Sequence, residues 1–303
     1  MVAWGHDMRH KLAIGFIAGF IILLAVTSYI VRPAEGEVYD IISTREKIEA
    51  IGREEENSID VLFAGDSLVF RAISPTLIYD LTGITSYDLS DGAMRLSDQV
   101  VMIKNACRRQ SPKLVVLEPD IMTKAASAYK DDYALPTNLV EKIFPIFHYH
   151  TFYKSIPLFE EEEPDDGLKG FSPIDDIEPY EGNPDYMSEE GDEVSIPVLN
   201  GQYLEEIVDF CNENDMQLLV LAVPSAWNYN RTKHDTIQKW ADDHGVPFVD
   251  LNLKCDELGI DWSTDTKDGG DHMNSSGAEK VSAYIAEYLR NNYDLTDHRN
   301  DKK

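Results

Sequence analysis

The chain has 303 residues, enough to bury a large core, and 43% of them are hydrophobic, which argues against wholesale disorder. Its net charge of −28, from 55 acidic and 27 basic residues, repels phosphate backbones and anionic lipid headgroups, so no nucleic-acid partner is expected. Cys107, Cys211 and Cys255 form no C-x-x-C pair; they read as buried free thiols, or as one disulfide with a spare thiol, and neither a metal nor a cofactor is expected.

In chain order, the first element is "LAIGFIAGFIILLAVTSYIV", Leu12 to Val31. It is uncharged and about long enough to cross a bilayer as a helix. Arg9 and Lys11 precede it, whereas Arg32, Glu35 and Glu37 follow. That asymmetry predicts a cytoplasmic tail over 1–11, a single-pass cell-membrane anchor over 12–31 and everything later outside the cytoplasm. A cleaved signal peptide is the rival, but its apolar region is usually shorter and no A-x-A site follows this one. Residues 32–58 read as a polar stalk, helical in "REKIEAIGREEE", where Ile48 and Ile51 have helical spacing.

Five short apolar runs then predict buried strands: Ile59–Ala64, Thr85–Leu89, Lys113–Leu117, Gln217–Val223 and Pro247–Leu251. "KLVVLEP" and "QLLVLAVP" are unbroken by polar residues, as parallel strands covered on both faces tend to be. Amphipathic segments separate them at Pro75–Leu81, Leu96–Arg109, Gln202–Asn214 and Thr232–His244, and a last helix over Gly277–Tyr293 carries Val281, Ile285 and Leu289 on one stripe. This alternation predicts one three-layer α/β/α domain over 59–293 with a roughly five-stranded parallel sheet, followed by a polar tail at 294–303. Only one such sheet is visible, which argues against a two-lobed small-ligand receptor. The region about 145–195 breaks the pattern: Phe159 to Glu193, beginning "FEEEEPDDG", is rich in acids, Pro and Gly, and reads as a lid, a surface loop or a solvated insertion.

Ligands of open parallel sheets bind beyond the carboxyl ends of the strands. After the first strand comes Gly65-Asp66-Ser67, where Ser67 either caps a helix or is a nucleophile. After the second comes "SDGAMRLSD", in which the Gly92 amide is a candidate oxyanion donor, and after the third "EPDIM", Glu118 to Met122. Near the C-terminus, "DTKDGGDHMNSSGAEKVS" places His272 just before the last helix, with Asp268 and Asp271 on its N-terminal side and Asn274, Ser275 or Ser276 as cap. A serine hydroxyl needs a base to remove its proton, and the base needs an acid to fix its tautomer. Ser67, His272 and one of the two aspartates fit that need.

"FAGDSLVFRAISP" together with "DGGDHMNSSGAEKV" resembles the SGNH/GDSL superfamily of serine esterases and acyltransferases, whose fold is flavodoxin-like. "FHYHTFYKS" and "IEPYEGNPDYM" resemble its membrane-anchored envelope branch, related to the teichoic-acid D-alanylation protein and the alginate O-acetyltransferases. The resemblance implies Ser67 as nucleophile, His272 as general base, and an oxyanion hole from the amides of Ser67 and Gly92. Two positions depart from the pattern. The acid usually lies three residues before the histidine, where Gly269 stands. A one-residue bulge through Gly269 and Gly270 favours Asp268 over Asp271. Asp120 replaces the asparagine that commonly completes the oxyanion hole, and an ionised carboxylate there would have to be protonated, turned away or replaced. His150, Trp227 and Asn274 are candidate substrate contacts, although His150 also reads as a structural histidine and Trp227 as cover for the sheet. The implied activity is transfer of an acyl group, acetyl first, onto or off a hydroxyl of a cell-envelope glycopolymer, with a membrane-bound acyl-donating partner. The alternative is a catalytically reduced scaffold of an envelope-polymer complex.

Overall fold

The computed structural model describes residues 3–31, 42–92, 94–124, 144 and 166–301. Helix α1, Ala3–Val31, contains a stretch from Lys11 to Tyr29 with mean hydropathy 2.3 and 6% burial, long and apolar enough to cross a membrane. Those properties suit an anchor or a signal sequence equally. Helix α2, Ile42–Arg53, lies on the folded domain, with Ala50 and Ile51 buried in its core. The stalk is thus partly built into the domain.

The domain is a five-stranded parallel sheet: β1 Val61–Ala64, β2 Ser86–Asp88, β3 Leu114–Leu117, β4 Gln217–Ala222 and β5 Phe248–Asp250. Their order across the sheet is β2-β1-β3-β4-β5. Each expected run contains its strand and exceeds it by no more than two residues at either end. The strands that read as unbroken apolar runs, β3 and β4, are buried along their length apart from Gln217 at the start of β4. Around the sheet lie α3 Ser67–Ala72, α4 Pro75–Thr82, α5 Leu96–Ala106, α6 Asp120–Thr123, α7 Val198–Glu213, α8 Arg231–His244, α9 Cys255–Leu258 and α10 Ser275–Asn292. The stripe of α10, Val281, Ile285 and Leu289 with Ala278 and Ala286, is buried against α3 and α4. Strand order reverses between β1 and β3, so the residues after those two strands face a cleft made by diverging connections.

Two expectations change here. The sequence placed the first helix after β1 near Pro75, yet α3 begins at Ser67 itself. The Asp66 side chain accepts from the Leu68 amide at 3.1 Å and caps it, so Asp66 does the capping that Ser67 was a candidate for. Second, the described part of the 145–195 insertion is a strap packed on the domain. Its backbone is bonded to the sheet and its loops: the Asp88 amide donates to Lys169 O at 2.9 Å, Ser172 N to Phe70 O at 2.9 Å, and Tyr180 N to Trp262 O at 2.9 Å. Tyr180, Tyr186 and Trp262 form an edge-to-face cluster with centroids 5.5–6.5 Å apart. The three cysteines are free thiols, and burial pushes them up to about 11, 12 and 11 for Cys107, Cys211 and Cys255.

Candidate active site

β1 delivers the chain to the carboxyl edge of the sheet, and Gly65 makes the turn into α3. A Cβ there would lie 2.4 Å from Val69 and 2.8 Å from Glu118, so only glycine lets β1 and β3 end so close together. Ser67 is the first residue of α3, half-buried, and its amide has no carbonyl before it within the helix.

The histidine comes from the loop before α10. Thr266 and Met273 pair as an antiparallel bridge, and Lys267 N donates to His272 O at 3.1 Å, pinching residues 267–272 into a closed loop. Gly269 and Gly270 take φ +69° and +102°, a left-handed pair that absorbs the extra residue between acid and histidine. A Cβ on Gly270 would strike the Tyr180 ring at 2.7 Å. The strap fixes this loop from outside: Glu178 N donates to Thr266 O at 3.1 Å, and Gly269 N to Glu178 O at 2.9 Å.

These elements converge on one line of hydrogen bonds. His272 Nε2 lies 2.7 Å from Ser67 Oγ, and His272 Nδ1 lies 2.8 Å from Asp268 Oδ2. A carboxylate only accepts, so Nδ1 carries the proton and Nε2 is left to accept from the serine hydroxyl. Asp268 holds its own histidine twice, because its Oδ1 also accepts from the His272 amide at 2.8 Å. Partial burial works against the Asp268 charge, but that amide, Lys267 at 3.0 Å and the ring outweigh it and hold the carboxyl below the usual carboxylate range. Asp271 sits farther from the ring, Oδ2 to Nδ1 at 3.5 Å, and its Oδ1 is taken by Asn228 Nδ2 at 2.6 Å.

Other expected site residues are placed differently. The Asp120 carboxylate is buried and paired with Lys233 and Lys124. It offers no donor and is turned into a cage of its own, which removes it from the oxyanion hole. The Gly92 amide donates to the Asp91 carboxylate at 2.6 Å, so in this arrangement it faces its neighbour's side chain rather than the serine. Asn274 caps α10: its Oδ1 accepts from Gly277 N at 3.2 Å, and its amide group donates to Thr264 O and Asp176 O. With every polar atom so used, Asn274 is a framework residue rather than a substrate contact. Trp227 is 72% exposed and covers little of the sheet. Its indole N–H donates to Gly269 O at 2.6 Å, which pins the ring beside the histidine loop. His150 lies outside the described residues.

Beside the serine is a cluster the sequence did not announce. Asp66 accepts from Lys124 at 2.5 Å, Lys124 and Lys233 share Asp120, and Glu118 accepts from the Tyr229 hydroxyl and, at 2.8 Å, from the Asp120 amide. Burial, with Asp120 and Asp66 adding to it, holds the Glu118 carboxyl well above its usual range. Burial opposes the Lys124 charge, but Asp120 and Asp66 outweigh it and hold Lys124 above its usual range. Asp66, Glu118 and Asp120 lie close enough to share a cation, and the two lysine ammonium groups fill that role here.

No family model matches the chain, and no curated protein matches it in sequence. Solved structures of similar layout include a Bacteroides fragilis protein assigned as an acylhydrolase, at 13% identity over 84% of this chain and 98% of that one, with TM-score 0.44. A GDSL-like lipase of Bacteroides thetaiotaomicron aligns at 12% identity over 84% and 99%, with TM-score 0.42. A lipase/acylhydrolase of Enterococcus faecalis aligns at 12% identity over 78% and 98%, with TM-score 0.38. At such identities a shared layout assigns no chemistry, which has to come from the atoms of this site.

Proposed function

We propose that the chain is a serine esterase or O-acyltransferase of SGNH/GDSL type. The observation that carries this reading is the unbroken line from Asp268 through His272 to Ser67, with both contacts of the imidazole at 2.7–2.8 Å. In the proposed cycle Ser67 Oγ attacks an ester carbonyl as its proton passes to His272 Nε2, and Asp268 stabilises the imidazolium through Nδ1–H. The leaving alcohol takes that proton, and an acyl group stays on Ser67. A second hydroxyl, from water or from an acceptor sugar, is then deprotonated by His272 and releases the acyl group. The choice between water and sugar separates hydrolysis from transfer.

The finer reading places this chemistry outside the cytoplasm, on hydroxyls of a cell-envelope glycopolymer, with the domain tethered by α1. The apolar stretch Lys11–Tyr29 supports the tether, and Trp227, exposed and pinned beside the histidine loop, supports a sugar ring as the bound group. A membrane-bound acyl-donating partner fits a tethered domain. The rival reading, a catalytically reduced scaffold, draws on the occupied Gly92 amide and the caged Asp120, which leave the oxyanion hole without two expected donors.

Covalent labelling by a fluorophosphonate separates the two. The enzyme reading expects labelling of the wild-type protein that is lost in Ser67→Ala, with turnover of an acetyl ester lost in parallel. A folded wild-type protein that takes no label would sink it.

A further inference from the structure

Lys47, on the stalk helix α2, reaches into the domain and donates to two carbonyls, Ser90 O and Gly170 O, the latter at 3.1 Å. Its ammonium also stands 5.1 Å from the centroid of the Phe70 ring, on the helix that Ser67 begins. One side chain thus ties the stalk to three elements of the site: the turn after β2 that carries Gly92, the nucleophile helix and the strap. These contacts are closely built. Ser90 is itself fixed from below, its amide and hydroxyl donating to the buried Asp88 at 2.7 and 2.5 Å. The strap approaches so near that a Cβ on Gly170 would lie 2.1 Å from Asp88 O. A second bond, Lys169 to Glu54, joins strap and stalk on the same side.

We propose that Lys47 is a positioning residue for the acyl-transfer site, setting the turn that carries Gly92 against the nucleophile helix, so that the helix next to the membrane segment forms part of the catalytic domain. This inference rests on the reading of Ser67 as nucleophile. A flexible tether would need only length and polarity. A lysine that fills two carbonyls and an aromatic face is a specific joint, and it sets the strap and the turn after β2 against the helix whose first residue is Ser67. Displacing the Ser67 helix by about 1 Å costs on the order of a hundredfold in rate while leaving ground-state binding largely intact.

The test uses the full chain in detergent or membranes, with an acetyl ester as substrate and a fluorophosphonate as label. Lys47→Met should lower kcat and the labelling rate by about tenfold to a hundredfold with KM within about threefold, and Lys47→Arg, which can donate to both carbonyls, should restore most of kcat. Ile51→Val or Ile51→Ala, whichever lowers Tm as much as Lys47→Met does, serves as the control, because Ile51 anchors the same helix through a buried apolar side chain that can make no hydrogen bond. Retained kcat in that control supports positioning. Wild-type kcat in Lys47→Met, an equal loss in the Ile51 variant, or a folded Lys47→Arg that stays slow would each overturn the inference. A wild-type chain that neither turns over ester nor takes label would instead overturn the Ser67 reading beneath it.

Discussion

The line Asp268–His272–Ser67 and the cluster of Asp66, Glu118, Asp120, Lys124 and Lys233 lie at the same end of one sheet, yet their carboxylates face different worlds. The Asp268 side chain is 29% exposed and is bonded mainly to the residue it serves. Asp120 is 2% exposed and is held between two ammonium groups. Partly exposed, and steadied by Lys267 at 3.0 Å and by the His272 amide, the Asp268 carboxylate keeps its charge, so its field can act on an imidazole that gains charge during a reaction. In the cluster the charges of Asp66 and Asp120 are already neutralised by Lys124 and Lys233. An acid in that setting cannot respond to a new charge without breaking a pair, but it can fix where β1 and β3 end. Proximity to Ser67 is therefore a poor guide to which acid can act on the His272 ring.

The comparison breaks most sharply at the histidine. His272→Ala should lower ester turnover by about 10⁴-fold or more while leaving far-UV circular dichroism and Tm near wild type, since the ring is bonded only to the groups it serves. Retained turnover in steady-state assays would remove the line from the chemistry. Asp268→Asn should cost about 10²–10⁴-fold in kcat, because an amide in that place can favour the wrong tautomer. Asp271→Asn should stay within about tenfold, its carboxylate being 3.5 Å from the ring and shared with Asn228. The reverse ranking would assign the acid to Asp271.

The cluster answers to a different measurement. Lys233→Met leaves Asp120 buried with Lys124 alone, and should lower stability by about 3–5 kcal/mol in chemical denaturation, the cost of an uncompensated buried charge. Lys124→Met should cost less, because the Lys124 side chain is 48% exposed and water enters where it leaves. If Lys233→Met instead unfolds normally but loses rate with unchanged stability, the cluster belongs with the catalytic line and the distinction fails.

What could be read in the sequence follows the same division. The strands announced themselves because β3 and β4 are buried on both faces and need unbroken apolar runs. Ser67 and His272 could be found because a small polar tripeptide at a strand tip and a histidine before a capped helix are local patterns. The glycine pair permitted the bulge that Asp268 needed. The lysine cage was hidden, because Lys233 meets Asp120, and Lys124 meets Asp66, only through the fold, and a lysine in a charged helix reads as solvated. Lys47 was hidden for the same reason. The segment read as a lid, a surface loop or a solvated insertion, because acidic, Pro-rich composition signals the lack of regular structure and says nothing about backbone bonds to Trp262, Thr266 and Gly269.

Asp88 tests the rule of the cluster in a case where the pairing is incomplete. It is buried at the end of β2, its Oδ1 accepts from Ser90 N and Oγ, and its Oδ2 has no hydrogen-bond partner among the described residues. Burial pushes its carboxyl up to about 6, only partly offset by Lys47 and the Ser90 bonds. A folded value raised above the unfolded value of about 3.9 means that stability is greatest below the unfolded value and declines as pH rises through about 6. The difference of about two pH units corresponds to roughly 3 kcal/mol at pH 7. Asp88→Asn keeps an oxygen for Ser90 and cannot ionise. In urea titrations it should gain about 2 kcal/mol over wild type at pH 7, allowing for an amide group left without a partner, and nothing at pH 4. A gain of equal size at both pH values would trace it to packing instead, and would show that the aspartate is buried without the electrostatic cost from which the whole contrast is drawn.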